Sequence, residues 1–418
     1  MRILIVSQYF WPENFRINDL AVGLVERGHD VTVLTGIPNY PGGAFFPEYG
    51  FFKKKREEYK GVRIHRVPLL PRGNGSGPRL ALNYLSFAFF ASILSPLYCR
   101  EKFDLIFVFE PSPITVGLPA LVLKKIKSIP ILFWVQDLWP ESLSATGVIR
   151  SEKILNSVRK LVCFIYRHCD RILIQSKAFS PSVLRLVSCP DCIHYFPNTA
   201  EELYQPVHLE HDASEHEKVT SGFRVMFAGN IGAAQDFGTI LEAAERLKDY
   251  SEIQWVIIGD GRKRGWVEEE IAKRDLGKTV HLLGRYPIES MPRFFSLAHV
   301  LLVTLKDEPI FALTIPSKIQ SYLACAKPII ACLNGEGARV VEEASAGLTC
   351  PAENHEALAE AVLKMYRLPE SIRTDMGNKG REYFLREFER NVLLDRLEEM
   401  MKEVVLMKNS GAGSNKDL

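Results

Sequence analysis

The sequence lacks the short motifs that mark several classes of enzyme. No glycine lies between Met1 and Val22, so the first strand-like run is not followed by the Gly-x-Gly-x-x-Gly loop of a dinucleotide-dependent dehydrogenase. No Asp-x-Asp pair occurs in the chain, which argues against transferases that hold a nucleotide through a chelated divalent ion. A Gly-x-Ser-x-Gly elbow is also absent, which argues against an α/β-hydrolase. Any chemistry must therefore come from other loops.

Cysteine is scarce as well. Eight cysteines in 418 residues are too few for a disulfide framework, and Met1 leads into a strand-like segment instead of a secretory leader, so we expect a protein of the reducing cytoplasm. Cys189-Pro190-Asp191-Cys192 is a single CxxC motif with no second ligand pair at finger-like spacing, and we interpret its cysteines as structural. Because the His/Cys spacing of catalytic zinc is absent too, no metal site is predicted.

The net charge of +2 gives no sign of nucleic-acid binding by the whole chain, but the charge is unevenly divided. Residues 1–200 contain 25 Lys and Arg against 15 Asp and Glu, a balance of +10, and the remaining residues contain 27 against 35, a balance of −8. A basic first half is typical of a lobe that faces an anionic membrane surface or phosphorylated ligands. The alternative is ordinary solvated surface charge.

Strand-like apolar runs alternate with helical patterns along the chain, as expected for parallel sheets covered by helices. The alternation stops between residues 201 and 222, where acidic and histidine residues crowd a segment with few apolar ones, and it restarts at Phe223. We therefore predict an α/β protein of two Rossmann-like, doubly wound domains, at residues 1–200 and 223–371, joined by a linker at 201–222. A C-terminal helix region at 372–407 and a disordered tail at 408–418 follow.

One segment is apolar enough to concern a membrane. The 20 residues from Leu80 to Cys99 carry no charge and lie between Arg79 and Arg100, a length that admits a membrane span. The asparagine, the serines and the proline within it favour instead a helix that is buried in the first domain or lies at a membrane interface. Nearby, Phe51–Arg56 mixes aromatic and basic side chains, which indicates either a membrane-surface contact or an exposed turn.

Two loops of the second half have the features of anion sites. Residues Gly229–Asp236 form a glycine-bearing turn that opens a helix, so backbone N–H groups and the helix dipole can approach a phosphate. Leu313–Lys318 leads into another helix, with Thr314 or Ile315 at its cap. Pro316 suits the first turn, and Ser317 and Lys318 lie beside the free N–H groups. The alternatives are a tight steric turn in the first case and a well-capped helix in the second.

Charged and amide side chains follow other predicted strands. The loop after the first strand carries Glu13, Asn14 and Arg16, a set that suits a polyol or a phosphate better than a dinucleotide. Arg262 and Arg285 follow strands of the second half. Because ligands of open α/β sheets bind beyond the carboxyl ends of the strands, these arginines can reach a phosphate or a base edge.

Several segments together resemble glycosyltransferase family 4. In the second half they are Phe227–Gly232, Gly259–Gly261, Pro316–Ala331, Gly335–Gly337 and Gly347–Thr349. In the first half, Ser7–Asn14 and Ile37–Pro41 are similar to the bacterial branch that builds O-antigen and capsular polysaccharide, including the L-fucosamine transferases. The resemblance covers nearly the whole chain, from Met1 to Glu399.

The resemblance implies a GT-B fold, in which the second lobe holds a nucleotide sugar, the first binds the acceptor and the last helix crosses back to the first lobe. It implies a retaining transfer of a sugar, such as an N-acetylated deoxyhexosamine, with no cofactor and no metal bound by the nucleotide. The implied donor is a UDP-sugar, and the implied acceptor is a glycan on undecaprenyl diphosphate at the inner face of the plasma membrane. Nucleic acid is not an expected partner.

Taken with the loops above, the resemblance points to catalytic roles for Asp137, Glu13 and Lys318. Asp137 follows a first-half strand at the place where the family often has a histidine or an acid that contacts the sugar. Glu13, Asn14, Arg16, Asn39, Tyr40 and Asp137 are the residues expected at the sugar or the acceptor. Donor binding is expected from Gly229, Asn230, Gly232, Gln235, Arg262, Arg285, Thr314, Pro316, Ser317, Lys318 and Ser321.

The chain departs from the family pattern in two places. Many members carry two glutamates eight positions apart, which are Leu313 and Ser321 here, and Arg and Lys where this chain has Asn230 and Gln235. We expect Lys318 with its helix N-terminus, together with Arg16, to offset the lost positive charge. The departures leave two alternatives: a nucleotide-sugar epimerase on the same fold, which would act without an acceptor, and an inactive scaffold of a polysaccharide assembly complex.

Overall fold

Short apolar strands, most of them followed by a helix, build one sheet in each half of the chain. The structure is a computed structural model that describes residues 1–145, 151–187, 189–210 and 212–410. Its first unit comprises Met1–Phe196 and the described residues from Leu394 onward, and its second unit comprises Pro197–Leu393. The residues of the predicted linker, 201–222, thus belong to the second unit, and most of the predicted tail lies outside the described residues.

The first unit contains an eight-stranded sheet in the order β3-β4-β2-β1-β5-β6-β7-β8. Its strands are β1 (Arg2–Val6), β2 (Asp30–Gly36), β3 (Arg56–Tyr59), β4 (Val62–Val67), β5 (Leu105–Glu110), β6 (Ile131–Val135), β7 (Arg171–Ile174) and β8 (Ile193–Tyr195). All neighbours are parallel except β3, which pairs antiparallel with β4 at the edge of the sheet. Strands β5 and β6 are buried throughout, and β1 is buried from Ile3 onward, as is typical of a parallel sheet that is covered on both faces.

The helices of the first unit follow these strands. They are α1 (Arg16–Glu26), α2 (Gly77–Tyr98), α3 (Gly117–Lys127), α4 (Glu141–Ala145), α5 (Glu152–Arg167) and α6 (Ser180–Val187). Four X–Pro bonds of this unit are cis, and they lie in the loops after β1, β2, β5 and β6.

Helix α2 contains the uncharged segment of the sequence. Among the described residues it is the one helix long and apolar enough to cross a membrane by length and composition. One face is buried, with Asn83, Phe87, Ala88, Ala91 and Ser95, and the helix packs against α3. The Asn83 side chain accepts a hydrogen bond from Gln8 Nε2 at 2.7 Å. One face of α2 therefore packs into the first unit.

The second unit contains a six-stranded parallel sheet in the order β11-β10-β9-β12-β13-β14. Its strands are β9 (Phe223–Ala228), β10 (Ile253–Ile258), β11 (Val280–Gly284), β12 (Val300–Thr304), β13 (Ile329–Cys332) and β14 (Gly347–Cys350). Successive residues of β9 face opposite sides: Val225 and Phe227 join one apolar cluster, and Met226 and Ala228 join the other. Both faces of the sheet are thus covered, as predicted from the continuous apolar runs.

The remaining helices surround this sheet and close the chain. They are α7 (Ser214–Lys218), α8 (Phe237–Arg246), α9 (Arg264–Lys273), α10 (Met291–Leu297), α11 (Pro309–Ala312), α12 (Ser317–Ala324), α13 (Glu336–Glu343), α14 (His355–Arg367), α15 (Glu370–Glu387) and α16 (Arg390–Asn409). Within the predicted linker, Glu215 of α7 accepts two hydrogen bonds from Arg293, at 2.7 and 2.9 Å.

The C-terminal region forms two helices where the sequence suggested one run. Helix α15 ends at Glu387, and Phe388 is fully buried. The Glu389 side chain then accepts a hydrogen bond from the Val392 backbone N–H at 2.9 Å, which caps the first turn of α16. From Leu394 onward α16 belongs to the first unit, where Glu398 contacts His29 Nε2 at 2.9 Å. The predicted return of the last helix to the first domain is confirmed.

Candidate active site

Backbone hydrogen bonds hold the first half of the loop that follows β9. Gly229 has a φ of +141°, a conformation that side chains rarely tolerate. Its N–H donates to Ile258 O at 2.8 Å, and the N–H of Ile231 donates to Asp260 O at 2.9 Å. The loop thereby lies directly on the loop that follows β10.

Glycine is required where these two loops meet. A Cβ added to Gly259 would lie 1.8 Å from Gly229 O, and one added to Gly261 would lie 2.3 Å from Ile231 O. Because no side chain separates the loops, their backbone groups are brought together at the carboxyl end of the sheet. Such a backbone surface is typical of sites that receive a phosphate or diphosphate.

Helix α12 contributes its N-terminus to the same unit. Pro316 is its cap residue and the helix begins at Ser317, one residue later than the sequence suggested, so Pro316 precedes the first turn. The Thr314 hydroxyl donates to Phe311 O at 3.2 Å. The first N–H groups of an eight-residue helix have no partner within it and favour an anion.

The Lys318 side chain joins the two predicted anion loops. Its Cε and Nζ lie 2.5 and 3.0 Å from the position that a Cβ of Gly229 would occupy. Nζ also lies 3.7 Å from the centroid of the Phe227 ring, a cation–π contact. The turn at Gly229–Asp236 and the turn before α12 therefore meet in the second unit.

The Lys318 ammonium group is buried, which disfavours its charged form. Burial lowers the pKa of its ammonium group to about 7, because the charged form loses water without gaining a carboxylate. A diphosphate placed beside Nζ would supply the missing opposite charge and raise that pKa again. A buried ammonium group with no acidic partner among the described residues is the arrangement expected of an anion site.

Three other residues predicted to bind the donor, Asn230, Arg262 and Arg285, are exposed. Asn230 is exposed, and its Nδ2 lies 2.4 Å from the Cβ position of Gly232, with Gln235 Oε1 at 3.0 Å from the same point. Arg262 and Arg285 are exposed in the loops after β10 and β11. These four polar side chains surround or flank the glycine loops.

Ser321 is turned into its own helix. It is buried, and its hydroxyl donates to Ser317 O at 3.2 Å. Leu313, at the other glutamate position of the family, is half-buried. Neither position therefore supplies the carboxylate that many family members have.

Two residues that the sequence analysis did not select lie in this unit. Arg264 at the start of α9 has Nη1 3.4 Å from the Cβ position of Gly284, at the end of β11. Glu336 starts α13 and is buried, with Arg339 donating to its two carboxylate oxygens at 2.8 and 2.9 Å. The preceding Gly335 packs on Ala312 O, so Glu336 lies close to the segment that lacks the family glutamate. The signal for it was the Gly-Glu-Gly turn itself.

In the first unit, Glu13 joins two loops at the carboxyl ends of β1 and β2. Its Oε1 accepts hydrogen bonds from the backbone N–H groups of Asn39 at 2.8 Å and Tyr40 at 2.7 Å. Burial nevertheless raises the pKa of Glu13 to about 7. The Glu13 carboxyl is thus already engaged in hydrogen bonds within the protein, and these bonds hold the loop that carries Asn39 and Tyr40.

An aromatic cluster lies beside these loops. Tyr9 stacks on Phe15 with ring centroids 4.9 Å apart, and Tyr40 packs against both. The Arg72 guanidinium lies 5.0 Å from the Tyr40 ring centroid and bonds to the Tyr9 hydroxyl. Arg72 was not predicted, because it follows β4 by five residues with no motif to mark it. Aromatic faces beside a guanidinium suit a sugar ring or a phosphate.

The remaining first-unit candidates fall into two groups. Asn14 is exposed and Arg16 is partly exposed at the start of α1. Asn39 is buried and bonded, since its Oδ1 accepts from the Arg72 N–H at 3.1 Å and its Nδ2 donates to Ile37 O at 2.9 Å. Asn14 and Arg16 can meet a ligand, whereas Asn39 supports the loop.

Asp137 lies just beyond the end of β6. Trp139 Nε1 donates to its Oδ2 at 3.2 Å, and burial raises the pKa of its carboxyl, opposed by hydrogen bonds from Ser142 and Trp139. Its side chain is partly exposed. Asp137 is therefore a carboxylate with one face supported by the protein and one face accessible.

The cysteines and possible metal ligands form no site in the described part of the chain. All eight cysteines are free thiols, and the described residues contain no group of three His, Cys, Asp or Glu side chains placed to hold a metal ion. Cys192 donates to Cys189 O at 2.8 Å, within a short turn.

Two protein-family models match the chain in succession. Residues 14–199 match the glycosyl transferase 4-like domain, and residues 210–383 match the glycosyl transferases group 1. This chain is a family-4-like glycosyltransferase. The family boundary at residues 199–210 lies close to the division between the two structural units.

Individual relatives agree with this assignment. The glycosyltransferase is 30% identical over 233 residues to the probable glycosyltransferase WbjE of Pseudomonas aeruginosa, covering 54% of this chain and 58% of that relative. It is 24% identical to the putative colanic acid biosynthesis glycosyl transferase WcaI of Escherichia coli, over 78% of this chain and 81% of that relative. The chain thus spans somewhat more than half of WbjE.

Comparison with solved structures identifies the fold. The structure of HepE from Anabaena in complex with UDP has a TM-score of 0.69 and 14% sequence identity, covering 96% of this chain and 100% of that one. Together with the two parallel-sheet α/β units, this likeness confirms the predicted GT-B fold of the glycosyltransferase.

Proposed function

We propose that this glycosyltransferase transfers a sugar from a nucleotide-sugar donor to a glycan in cell-surface polysaccharide biosynthesis, and that its second unit holds the donor diphosphate. The observation that carries the proposal is that Lys318, at the start of α12, places its Nζ against Gly229 with no carboxylate partner among the described residues. The relative named for colanic acid biosynthesis supports a polysaccharide product. The family resemblance supports a UDP-sugar, such as one of an N-acetylated deoxyhexosamine, as the donor.

The proposed reaction retains the anomeric configuration. The acceptor hydroxyl attacks the sugar carbon on the face from which the diphosphate departs, so a new C–O bond forms as the bond to the phosphate oxygen breaks. The departing phosphate oxygen takes the proton of the acceptor. Negative charge then accumulates on the diphosphate, where Lys318 and the N–H groups near Gly232 and Ser317 stabilise it. Neither a cofactor nor a metal held by the nucleotide takes part.

The first unit is proposed to bind the acceptor and the sugar. Asp137 offers a partly exposed carboxylate to sugar hydroxyls, and Tyr40 with Arg72 offers an aromatic face beside a positive charge. Asn14 and Arg16 add exposed polar groups at the start of α1. Glu13 and Asn39, which are engaged by backbone groups, act by holding the loop of Tyr40.

The acceptor is proposed to be linked to undecaprenyl diphosphate, which requires the protein to work at a membrane surface. Helix α2 exposes five large apolar side chains, each by half or more: Leu82, Leu85, Phe89, Ile93 and Leu97. Their spacing of three and four residues places them on one face. Arg79 lies in the first turn of the helix and Arg100 follows its end, and the positive charge of Arg56 acts on the Cys99 thiol just after the helix. An apolar face between basic groups suits the interface of an anionic bilayer.

The membrane proposal is tested by sedimentation with vesicles. We expect the protein to bind vesicles rich in phosphatidylglycerol, and the double variant Leu85→Glu/Phe89→Glu to bind at least about 10-fold more weakly. Ile372→Glu, which changes an exposed apolar residue of the second unit, is the matched control. Equal binding by all three proteins would refute the role of α2, and extraction resistant to alkaline carbonate would show a span instead.

The function itself is tested with radiolabelled UDP-sugars and membrane lipid from a polysaccharide-producing bacterium. Transfer of label into the lipid fraction is the expected outcome. Conversion of the donor without acceptor would identify the epimerase, and donor binding without either reaction would identify the scaffold. A preceding thermal-shift panel of nucleotide sugars selects the donor, because a ligand stabilises the protein by RT ln(1 + [L]/Kd).

A further inference from the structure

A buried carboxyl group in the first unit has no partner of its own. Glu110 ends β5 with a fully buried side chain, and neither carboxyl oxygen makes a hydrogen bond to any described residue. The Tyr166 hydroxyl of α5 is also buried, and it too has no hydrogen-bond partner in the described part of the chain. Leaving such groups unpaired costs stability. Glu110 lies at the carboxyl end of β5, the edge at which ligands of parallel sheets bind, so a functional role is a better explanation of the buried carboxyl than packing.

The register of the sheet brings Glu110 next to Asp137. Glu110 pairs with Val135 across the parallel strands β5 and β6, and the N–H of Gln136 donates to the Glu110 backbone oxygen at 3.0 Å. Asp137 is the next residue along. Glu110 is fully buried, whereas Asp137 is partly exposed.

Among the described residues, the charge acting on Glu110 is acidic. The charge that acts on it is that of Asp137, and those that act on the neighbouring Tyr166 are Glu110, Cys169, Glu141 and Asp137. Burial raises the pKa of Glu110 well above its usual value, and the charge of Asp137 adds to the rise. The backbone N–H groups of Asp137 and Gln136 lie near enough to oppose the rise, although neither makes a hydrogen bond of good geometry to the carboxyl oxygens. Ionised Glu110 would be a buried anion beside a second anion.

We propose that Glu110 carries a proton at neutral pH and is a positioning residue for Asp137, its carboxyl O–H donating to the Asp137 carboxylate. One proton then serves two carboxyl groups, so that Asp137 stays ionised and fixed in orientation while its accessible face meets the substrate. The role of Asp137 in this inference rests on the proposed function, whereas the proton on Glu110 does not.

The proton is tested by thermal unfolding as a function of pH. A carboxyl whose folded pKa exceeds its unfolded one favours folding less as pH rises through that interval. We therefore expect Glu110→Gln to gain in Tm on the wild type between pH 5 and pH 8, by about 3 °C for each unit of pKa elevation. Glu101→Gln, an exposed glutamate of the same unit, should show a constant difference. A constant difference for Glu110→Gln as well would overturn the proposal.

The positioning role is tested by two substitutions and a pH profile. Glu110→Gln keeps an N–H donor and should retain kcat within about 3-fold. Glu110→Met removes the donor and should lower kcat about 10–100-fold while leaving the donor KM unchanged. The acidic limb of its rate profile should move to higher pH, since the Asp137 carboxylate loses its donor.

Structural packing alone predicts a different pattern. A Glu110→Met enzyme with full kcat, or a Glu110→Gln enzyme as impaired as Glu110→Met, would contradict the positioning role. If the wild type transfers no sugar, the proposed function fails while the unfolding series still decides whether Glu110 holds a proton.

Discussion

The carboxyl ends of the two sheets are built in opposite ways. In the second unit, glycine loops touch backbone to backbone, and Lys318 lies among them with no carboxylate partner in the described part of the chain. In the first unit, several side chains tie the loops together: Glu13 accepts from the backbone N–H groups of Asn39 and Tyr40, and Asn83 Oδ1 accepts from Gln8 Nε2. The loops of the second unit thus present backbone groups and one ammonium group, whereas side-chain hydrogen bonds connect these loops of the first.

This difference is consistent with the proposal that the second unit binds the donor and the first binds the acceptor. The diphosphate is small, carries two negative charges and is shared by all nucleoside-diphosphate sugars. One ammonium group and the backbone N–H groups of the glycine loops are therefore enough to hold it. A glycan acceptor is large and nearly neutral, so it is better met by a surface whose loops are held in place, such as the Tyr9, Tyr40 and Arg72 cluster. Changes in the second unit should therefore affect donor binding, and changes in the first should affect stability or acceptor binding.

Removing the ammonium group should have the largest effect. Lys318→Ala is expected to raise the donor KM and lower kcat, with kcat/KM reduced about 100-fold or more, because charge on the departing diphosphate loses its stabilising cation. Steady-state kinetics with varied donor measures this. Lys327→Ala is the control, since its buried ammonium donates to Ser296 O and Ala298 O and its loss should lower Tm. Unchanged kinetics for Lys318→Ala would refute the donor site.

The second-largest effect is expected from a side chain inserted between the two glycine loops. A methyl group on Gly259 would meet Gly229 O at 1.8 Å at a φ of +144°, so Gly259→Ala should destabilise the protein by about 3 kcal/mol and abolish donor binding. Gly265→Ala places the same methyl group in open space on α9 and should instead stabilise by about 0.5–1 kcal/mol. Chemical denaturation distinguishes them, and equal stabilities would show that the loops are not in contact.

In the first unit, Glu13→Ala should cost about 2 kcal/mol by leaving buried backbone N–H groups unpaired. The folded pKa of Glu13, about 7, exceeds the unfolded value, so its contribution to stability falls as pH rises from about 4.5 towards 7. The loss caused by Glu13→Ala should therefore be larger at pH 5 than at pH 8, and the donor KM should not change. A donor KM that rises with this variant would break the division between the two units.

The smallest effect concerns the protonation of Lys318. Because its pKa is about 7 and the diphosphate requires the ammonium form, the Kd of UDP should rise about fivefold from pH 7 to pH 8. Calorimetry at pH 8 in buffers of different ionisation enthalpy should show proton uptake on binding. Lys318→Met should abolish both the pH dependence and the uptake; their persistence in this variant would assign them to another group.

Local patterns predicted the two sheets and the turns of the second unit well. Buried parallel strands such as β9 and β12 are continuous apolar runs, and glycine and proline mark the turns at Gly229 and Pro316. Strand β3 was missed, because its sequence Arg-Glu-Glu-Tyr at Arg56–Tyr59 is charged and pairs at an edge. Arg56, the last residue of the segment interpreted as a membrane-surface contact or an exposed turn, is thus the first residue of that strand.

Contacts between distant residues could not be predicted. Lys318 lies over Phe227 and Glu110 lies beside Asp137 only because the strand order and register bring them together. Arg72 likewise reaches Tyr9 from another loop. Sequence patterns describe the elements, whereas these pairs depend on how the elements assemble.

The most direct measurement compares UDP with UMP as ligands of the wild type and of Lys318→Met at pH 6.5. Lys318 is predicted to interact favourably with the second phosphate, which UMP lacks. The wild type should therefore bind UDP at least about 10-fold more tightly than UMP, and the variant should bind the two almost equally. A preference for UDP that survives intact in Lys318→Met would contradict the assignment of these loops as the diphosphate site.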